Sequence, residues 1–232
     1  MQLFYEPNVS GEQFILNEEE SRHCIKVLRK KPGDNITIID GKGSFITTQI
    51  VDANPKKCLL KVLEFKAESI KDFYIHIAIA PTKNIDRIEW FIEKSVEIGI
   101  DEISFINCQN SERRHLKMER LEKKAISAMK QSIKASLPKL NEIQSFKDFI
   151  NVKDDSAKFI GFVDMDNPDH LIHKAQKSSE YLMLIGPEGD FTLDEVELAL
   201  TKGFQKISLG QSRLRTETAG ITACCIFNMI NL

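Results

Sequence analysis

Residues Tyr181–Thr192, YLMLIGPEGDFT, carry an unbroken apolar run into a glycine-bearing turn and then a helix start. Tyr181–Ile185 is short, continuous and apolar, the pattern of a strand buried on both faces. Gly186-Pro187-Glu188-Gly189 is turn chemistry. Thr192 and Glu195 have the spacing of a capping box, with Phe191 and Val196 as its hydrophobic staple. The same rhythm runs outward in both directions. Ile75–Ala80, Glu102–Ile106, Lys158–Val163 and Lys206–Leu209 read as strands. Asn84–Ile98, Met118–Lys134, His170–Lys177, Leu193–Lys202 and Glu217–Ile230 read as helices. In the first of these helices Ile85, Ile88, Ile92 and Val96 share one face, and Gly99 is placed to end it. Apolar strands alternating with helices predict an α/β domain with a mainly parallel sheet covered on both sides.

The rhythm stops upstream of residue 73. Asn35–Asp40, Ser44–Val51 and Cys58–Phe65 are rich in β-branched and aromatic residues, and Gly41-Lys42-Gly43 separates two of them at hairpin spacing. One helix is expected between Asn17 and Lys30, with Cys24, Val27 and Leu28 on its inner side. Several short strands with turns suggest a small barrel or sandwich. Lys66–Asp72 reads as a linker, so the expected domains are 1–70 and 73–232.

The bulk properties are those of a water-soluble globular chain: 42% hydrophobic and 28% charged residues over 232 positions. No apolar run approaches a membrane span, so no membrane association is expected. Five cysteines without a CxxC pair point to reduced thiols and a cytoplasmic protein. The net charge of −2 argues against a general nucleic-acid coat, yet the charge is uneven. Arg22–Lys31 holds five Lys/Arg and no carboxylate, and Ser111–Lys134 holds eight Lys/Arg against three Glu. Such stretches attract phosphate locally, or are simply solvated faces.

Two strand–loop–helix junctions are the candidate binding loops: Leu184–Thr192, and Leu209–Ala219 (LGQSRLRTETA). Open α/β sheets bind ligands outside the carboxyl ends of their strands, and glycine lets backbone approach a ligand or take positive φ. Taken singly, each loop reads more readily as an ordinary turn or surface loop than as a binding loop, with Thr216 as a helix cap. GxGxxG after a strand, GxxxxGK[ST], HExxH and GxSxG are all absent, so nucleotide-triphosphate, metal and serine-nucleophile chemistries lack support. His170 and His173 have no third ligand near them in sequence, and no metal is expected.

Taken together, HCIKVLR (His23–Arg29) with Gly33-Asp34, then Lys83 and Arg87, KSVEIG (Lys94–Gly99), Gln131-Ser132 with Pro138, IGPEGDF and LGQSRLRTETA resemble the RsmE family of bacterial 16S ribosomal RNA uridine-N3 methyltransferases, in the SPOUT superfamily. The resemblance covers nearly the whole chain. It implies an N-terminal PUA-like RNA-binding barrel and a C-terminal parallel-sheet domain closed by a trefoil knot. It also implies S-adenosylmethionine as methyl donor, a homodimer through the knotted domain, and the small ribosomal subunit as partner. Carried over by position, Leu184, Ile185, Gly186, Pro187, Glu188 and Gly189 form one side of the cofactor pocket, and Leu209, Gly210, Leu214, Arg215 and Thr218 the other. Arg215 and Glu188 are the candidate catalytic groups. RNA contact falls to Arg22, Lys26, Arg29 and Lys30 in the first domain, and to Lys83, Arg87, Arg113 and Arg114 in the second. Alternatives are a related knotted methyltransferase with another target position and a non-catalytic RNA-binding assembly factor. Two positions depart from the family. Asp190 stands where IGPEGGF has glycine, and Lys134 stands where many members have Arg, exchanging a planar fork for a point charge.

Overall fold

The computed structural model describes residues 2–69, 71–151, 155–164, 169–177 and 179–232. Its two compact units are not two contiguous pieces. One unit comprises Met1–Ile70 together with Ile126–Leu137, and the other Lys71–Ala125 with Pro138–Leu232.

The first unit is a curled five-stranded sheet of β1 (Leu3–Tyr5), β2 (Gln13–Ile15), β3 (Asn35–Ile39), β4 (Ser44–Asp52) and β5 (Leu59–Ala67), in spatial order β1-β3-β4-β5-β2. Alternation along these strands puts Phe14, Ile36, Ile38, Ile46, Ile50 and Leu60 into one core with Phe4 and Leu16. The β3–β4 hairpin turns at Gly41 (φ 75°) and Gly43 (φ 95°), and the Asp40 carboxylate accepts the Lys42 and Ser44 N–H groups. β2 is too short for its alternation to stand out in the sequence. β5 runs as far as Ala67, so the expected linker, Lys66–Asp72, starts inside a strand.

The helix expected between Asn17 and Lys30 has two parts, α1 (Glu18–Arg22) and a π-helical turn over His23–Val27. Leu28 N–H reaches the His23 carbonyl at 3.0 Å, a five-residue step. The wider turn advances the phase by one residue. Cys24 therefore stays buried while Val27, expected inside, is 62% exposed. Arg29 follows with φ 57°. Residues 126–137 pack onto this unit: Lys130 pairs with the Glu20 carboxylate at 2.5 Å, and the 41–43 turn exchanges backbone hydrogen bonds with Ala135 and Leu137.

The second unit contains a six-stranded sheet of β6 (Tyr74–Ile79), β7 (Glu102–Asn107), β8 (Lys139–Ser145), β9 (Ala157–Gly161), β10 (Glu180–Ile185) and β11 (Gln205–Ile207). The spatial order is β11-β9-β10-β6-β7-β8, and every pairing is parallel, as expected. The helices are α2 (Ile85–Ile98), α3 (Met118–Gln131), α4 (Phe146–Phe149), α5 (Leu171–Lys174), α6 (Leu193–Thr201) and α7 (Thr216–Met229). Gly99 ends α2 at φ 122°. α3 stops at Gln131, short of Lys134, where Ile133 turns to φ 56°. α7 crosses α2 closely: a Cβ on Gly220 would lie 2.5 Å from the Phe91 ring. Behind it, Phe227 stacks on Tyr181 at 4.3 Å. The apolar circumference of α7 is only partly covered within one chain; Cys224 and Phe227 are buried, while Met229 is exposed.

At the amino ends of the central strands, Glu102 is a polar hub. Its carboxylate accepts from Tyr74 (2.9 Å), Lys139 (2.9 Å) and Asn141 (2.5 Å). Burial pushes this carboxyl up, but these donors and nearby His76 outweigh it and hold the group below the usual carboxylate range.

Candidate functional site

The strand order reverses between β6 and β10, so the chain leaves neighbouring strand ends in opposite directions. A crevice at the carboxyl edge follows from that topology. A cavity of about 910 Å³ lies at the ends of β9, β10 and β11, walled by the loops that follow these strands and by the start of α7.

The loop after β10 forms the middle wall. Ile185, Gly186, Pro187 and Glu188 line the cavity. Gly186 is closely approached: a Cβ there would sit 3.1 Å from the Phe191 ring, which would have to give by a few tenths of an ångström. The capping box is formed as expected: Thr192 Oγ1 accepts from Glu195 N–H, and the Glu195 carboxylate accepts from Thr192 N–H at 2.9 Å. Such a cap is worth about 0.5–2 kcal/mol. Glu195 also accepts the Gln109 N–H, which ties the loop after β7 to the same helix. Phe191 and Val196 are both buried in one cluster, as the staple requires.

The loop after β11 forms the second wall. Leu209, Gly210, Leu214 and Arg215 line it. Gly210 takes φ 125°, with open space where a Cβ would stand. Arg215, not Thr216, is the N-cap residue of α7, and its side chain makes no capping bond; Thr216 is the first helical residue.

Three expected lining residues fall elsewhere. Leu184 points into the core and is fully buried. Gly189 is turned toward Asn110, whose Cβ would be 3.1 Å from an added Cβ. Thr218 lies off the cavity, whereas Thr216 and Ala219 border it. A helix advances 100° per residue, so neighbours at its start cannot all face one ligand.

The third wall, Gly161–Asp164 after β9, and His170 beside it were not anticipated. The strand itself was legible, and the carboxyl-end rule could have extended the site to its loop. The apolar Phe162 and Val163, however, read as a continuation of the strand. His170 Nδ1 accepts the Ile172 N–H, which caps α5 and leaves Nε2 as the ring's other nitrogen.

Both candidate catalytic side chains border this cavity, with different constraints. The Glu188 carboxylate accepts the Lys83 N–H at 2.9 Å, and the Glu188 carbonyl lies 3.4 Å from the Arg213 guanidinium. Arg215 is exposed. Among the expected RNA contacts, Arg113 donates to the backbone carbonyls of Thr82 and Lys83, so its guanidinium is engaged in holding the loop after β6. Arg87 stands 3.8 Å from the buried Glu217 carboxylate. The Lys83 ammonium, hydrogen-bonded to Glu112, has its pKa raised by that contact. Arg114 is exposed, as are Arg22, Lys26 and Arg29 in the first unit; Lys30 is half-buried.

Apolar walls from Ile185, Ile207, Leu209 and Leu214, with backbone and a few polar groups between them, suit a flat heterocycle bearing a polar tail. No cluster of metal-ligating side chains occurs among the described residues.

A parallel α/β domain with a cavity at the carboxyl ends of its strands defines a binding domain for a small organic ligand, joined here to a small β-unit. The chain belongs to the RNA methyltransferase family: a model of the RNA methyltransferase domain matches residues 69–228, and one of the RNA methyltransferase PUA domain matches 16–63. The resemblance to the RsmE family is borne out by its relatives. The chain is 28% identical over 220 residues to Ribosomal RNA small subunit methyltransferase E of Mesomycoplasma hyopneumoniae, covering 92% of this chain and 93% of that protein. A probable rRNA-methyltransferase of Porphyromonas gingivalis superposes with a TM-score of 0.94 at 42% identity, over 100% of this chain and 98% of its own. Ribosomal RNA small subunit methyltransferase E of Neisseria gonorrhoeae, solved bound to S-adenosyl methionine, superposes with a TM-score of 0.89 at 26% identity, over 100% and 98%.

Proposed function

We propose that this protein transfers a methyl group from S-adenosylmethionine to N3 of a uridine near the decoding site of 16S ribosomal RNA. The observation that carries the reading is the three-walled cavity at the carboxyl edge of an RNA methyltransferase domain. The donor-bound relative supports the choice of ligand.

Bound there, S-adenosylmethionine supplies an activated methyl group on a sulfonium that leaves as a neutral thioether. The residues that hold it are Ile185–Glu188 on one wall and Leu209, Gly210 and Leu214 on the other. Alignment of acceptor and donor accounts for about 7–11 kcal/mol of the barrier in well-oriented reactions. Arg215 is permanently charged and stabilises the negative charge that develops on the uracil oxygens as N3 gives up its proton to solvent water. Glu188, fixed by the Lys83 N–H, orients its loop. The target base is unstacked to reach the cavity.

Arg22, Lys26, Arg29 and Lys30 in the first unit, with Lys83 and Arg114 in the second, bind RNA phosphates. The π-helical turn and the left-handed Arg29 support a functional role for that stretch, since such irregularities cluster at functional sites. The reading includes the knotted chain path, a homodimer through the C-terminal domain, and a cytoplasmic location. No helix among the described residues is long and apolar enough to cross a membrane.

The test is transfer of a labelled methyl group to small subunits lacking the modification, followed by mass mapping of the product. Label on uridine N3 is the expected result. Label on a ribose hydroxyl or another base makes the protein a related methyltransferase, and donor binding without transfer makes it an assembly factor.

A further inference from the structure

Asp190 is the one non-glycine residue with positive φ among the described residues that border the cavity; its φ is 62°. Its N–H closes a turn on the Pro187 carbonyl at 2.9 Å, and its carbonyl accepts from the Asn110 amide at 3.1 Å. The backbone is therefore held in this unusual conformation from both sides. That conformation folds the carboxylate back over Gly186, with Oδ1 3.2 Å from where a Cβ on Gly186 would stand.

The carboxylate then joins two walls. Oδ1 accepts the Phe191 N–H at 2.8 Å, and Oδ2 accepts the Val163 N–H at 3.2 Å. Val163 belongs to the loop after β9 and is 52% exposed, so its burial contributes little to holding the loop. Its neighbours bind the opposite wall: Phe162 N–H meets the Ile207 carbonyl at 3.4 Å, and Asp164 pairs with Lys206 at 2.5 Å. Through this bond Asp190 links the loop after β9 to the loop after β10.

We propose that Asp190 is a positioning residue that latches the loop after β9 to the loop after β10 and so preorganises the cavity for its ligand. A wall fixed before binding does not have to be ordered during binding, and the ordering cost is removed from the affinity. The latch rests on the reading of this cavity as the S-adenosylmethionine site. It goes beyond that reading in giving the aspartate side chain a task that glycine cannot perform.

Asp190→Gly separates the latch from the backbone. Glycine adopts φ 62° without strain, so the turn survives while both carboxylate bonds are lost. Charge-assisted hydrogen bonds support an expected loss of about tenfold in S-adenosylmethionine affinity by calorimetry, with the thermal midpoint little changed. Asp190→Asn retains one carbonyl acceptor, and its affinity is expected between the two. Hydrogen exchange in the ligand-free protein should show the Val163 amide losing protection in Asp190→Gly. Unchanged Val163 protection together with affinity within twofold of the parent would overturn the latch. If the parent chain itself binds no S-adenosylmethionine, the cofactor reading fails, and Val163 exchange still decides whether the latch exists.

Discussion

Gly210 illustrates what a single residue contributes to the cavity. Its φ of 125° is closed to side chains, although nothing stands within 4 Å of its Cβ position. The restriction is therefore purely conformational. Gly210→Ala should impose about 1–3 kcal/mol of local strain, seen as a lowered thermal midpoint and weakened S-adenosylmethionine binding; unaltered binding would detach this loop from the site. Residues of this kind were readable in advance because glycine and turn chemistry act locally. Glu188 was not. Its carboxylate partner, the Lys83 N–H, lies 105 positions away, and no local spacing reveals it. The same holds for Asp190, which stands out as a departure from the family's glycine but whose bond to Val163 depends on β9 and β10 becoming neighbours.

At the scale of elements, strong periodicity was enough for β6, β7, β10, α2 and α6. It failed where elements are short or polar. β8, KLNEIQS, has no apolar alternation because it is an edge strand held by its neighbour β7. The π-helical turn displaced Val27 because a five-residue step breaks the assumed period. β8 also supplies Lys139 and Asn141 to the Glu102 hub, and this gives a pH prediction. Glu102 has a folded pKa below its unfolded value. Its ionised form therefore stabilises the fold at pH above the ordinary carboxylate pKa, about 4.3, and that contribution disappears as pH falls through the lower folded value. Glu102→Gln should cost about 1–3 kcal/mol near neutrality and flatten the acid limb of the stability–pH curve measured by denaturant unfolding. A parallel downward shift at every pH would remove Glu102 from the acid response.

At the scale of the whole molecule, the proposed division of labour predicts separable defects. Arg29→Ala should weaken binding to small-subunit RNA and lower the salt dependence of log K by nearly one unit if the contacted region is duplex-like. S-adenosylmethionine affinity should be unaffected. Loss of both affinities together would contradict the assignment. The two units could be expected from the change in sequence rhythm near residue 70, but the return of 126–137 to the first unit could not. That segment reads as the tail of an ordinary helix, and its allegiance shows in three-dimensional contacts such as the pairing of Lys130 with Glu20 and the backbone bonds at Ala135 and Leu137.

This return has a consequence for biosynthesis. All five strands of the amino-terminal sheet leave the ribosome before Ile126–Leu137 has been translated. Until then Glu20 lacks its lysine and the Gly41–Gly43 turn lacks its backbone partners, so the nascent sheet waits, incomplete, for residues made after much of the second unit's first half. A fragment cut at the apparent boundary near residue 70 would carry the same unfinished surface, because it lacks Ile126–Leu137.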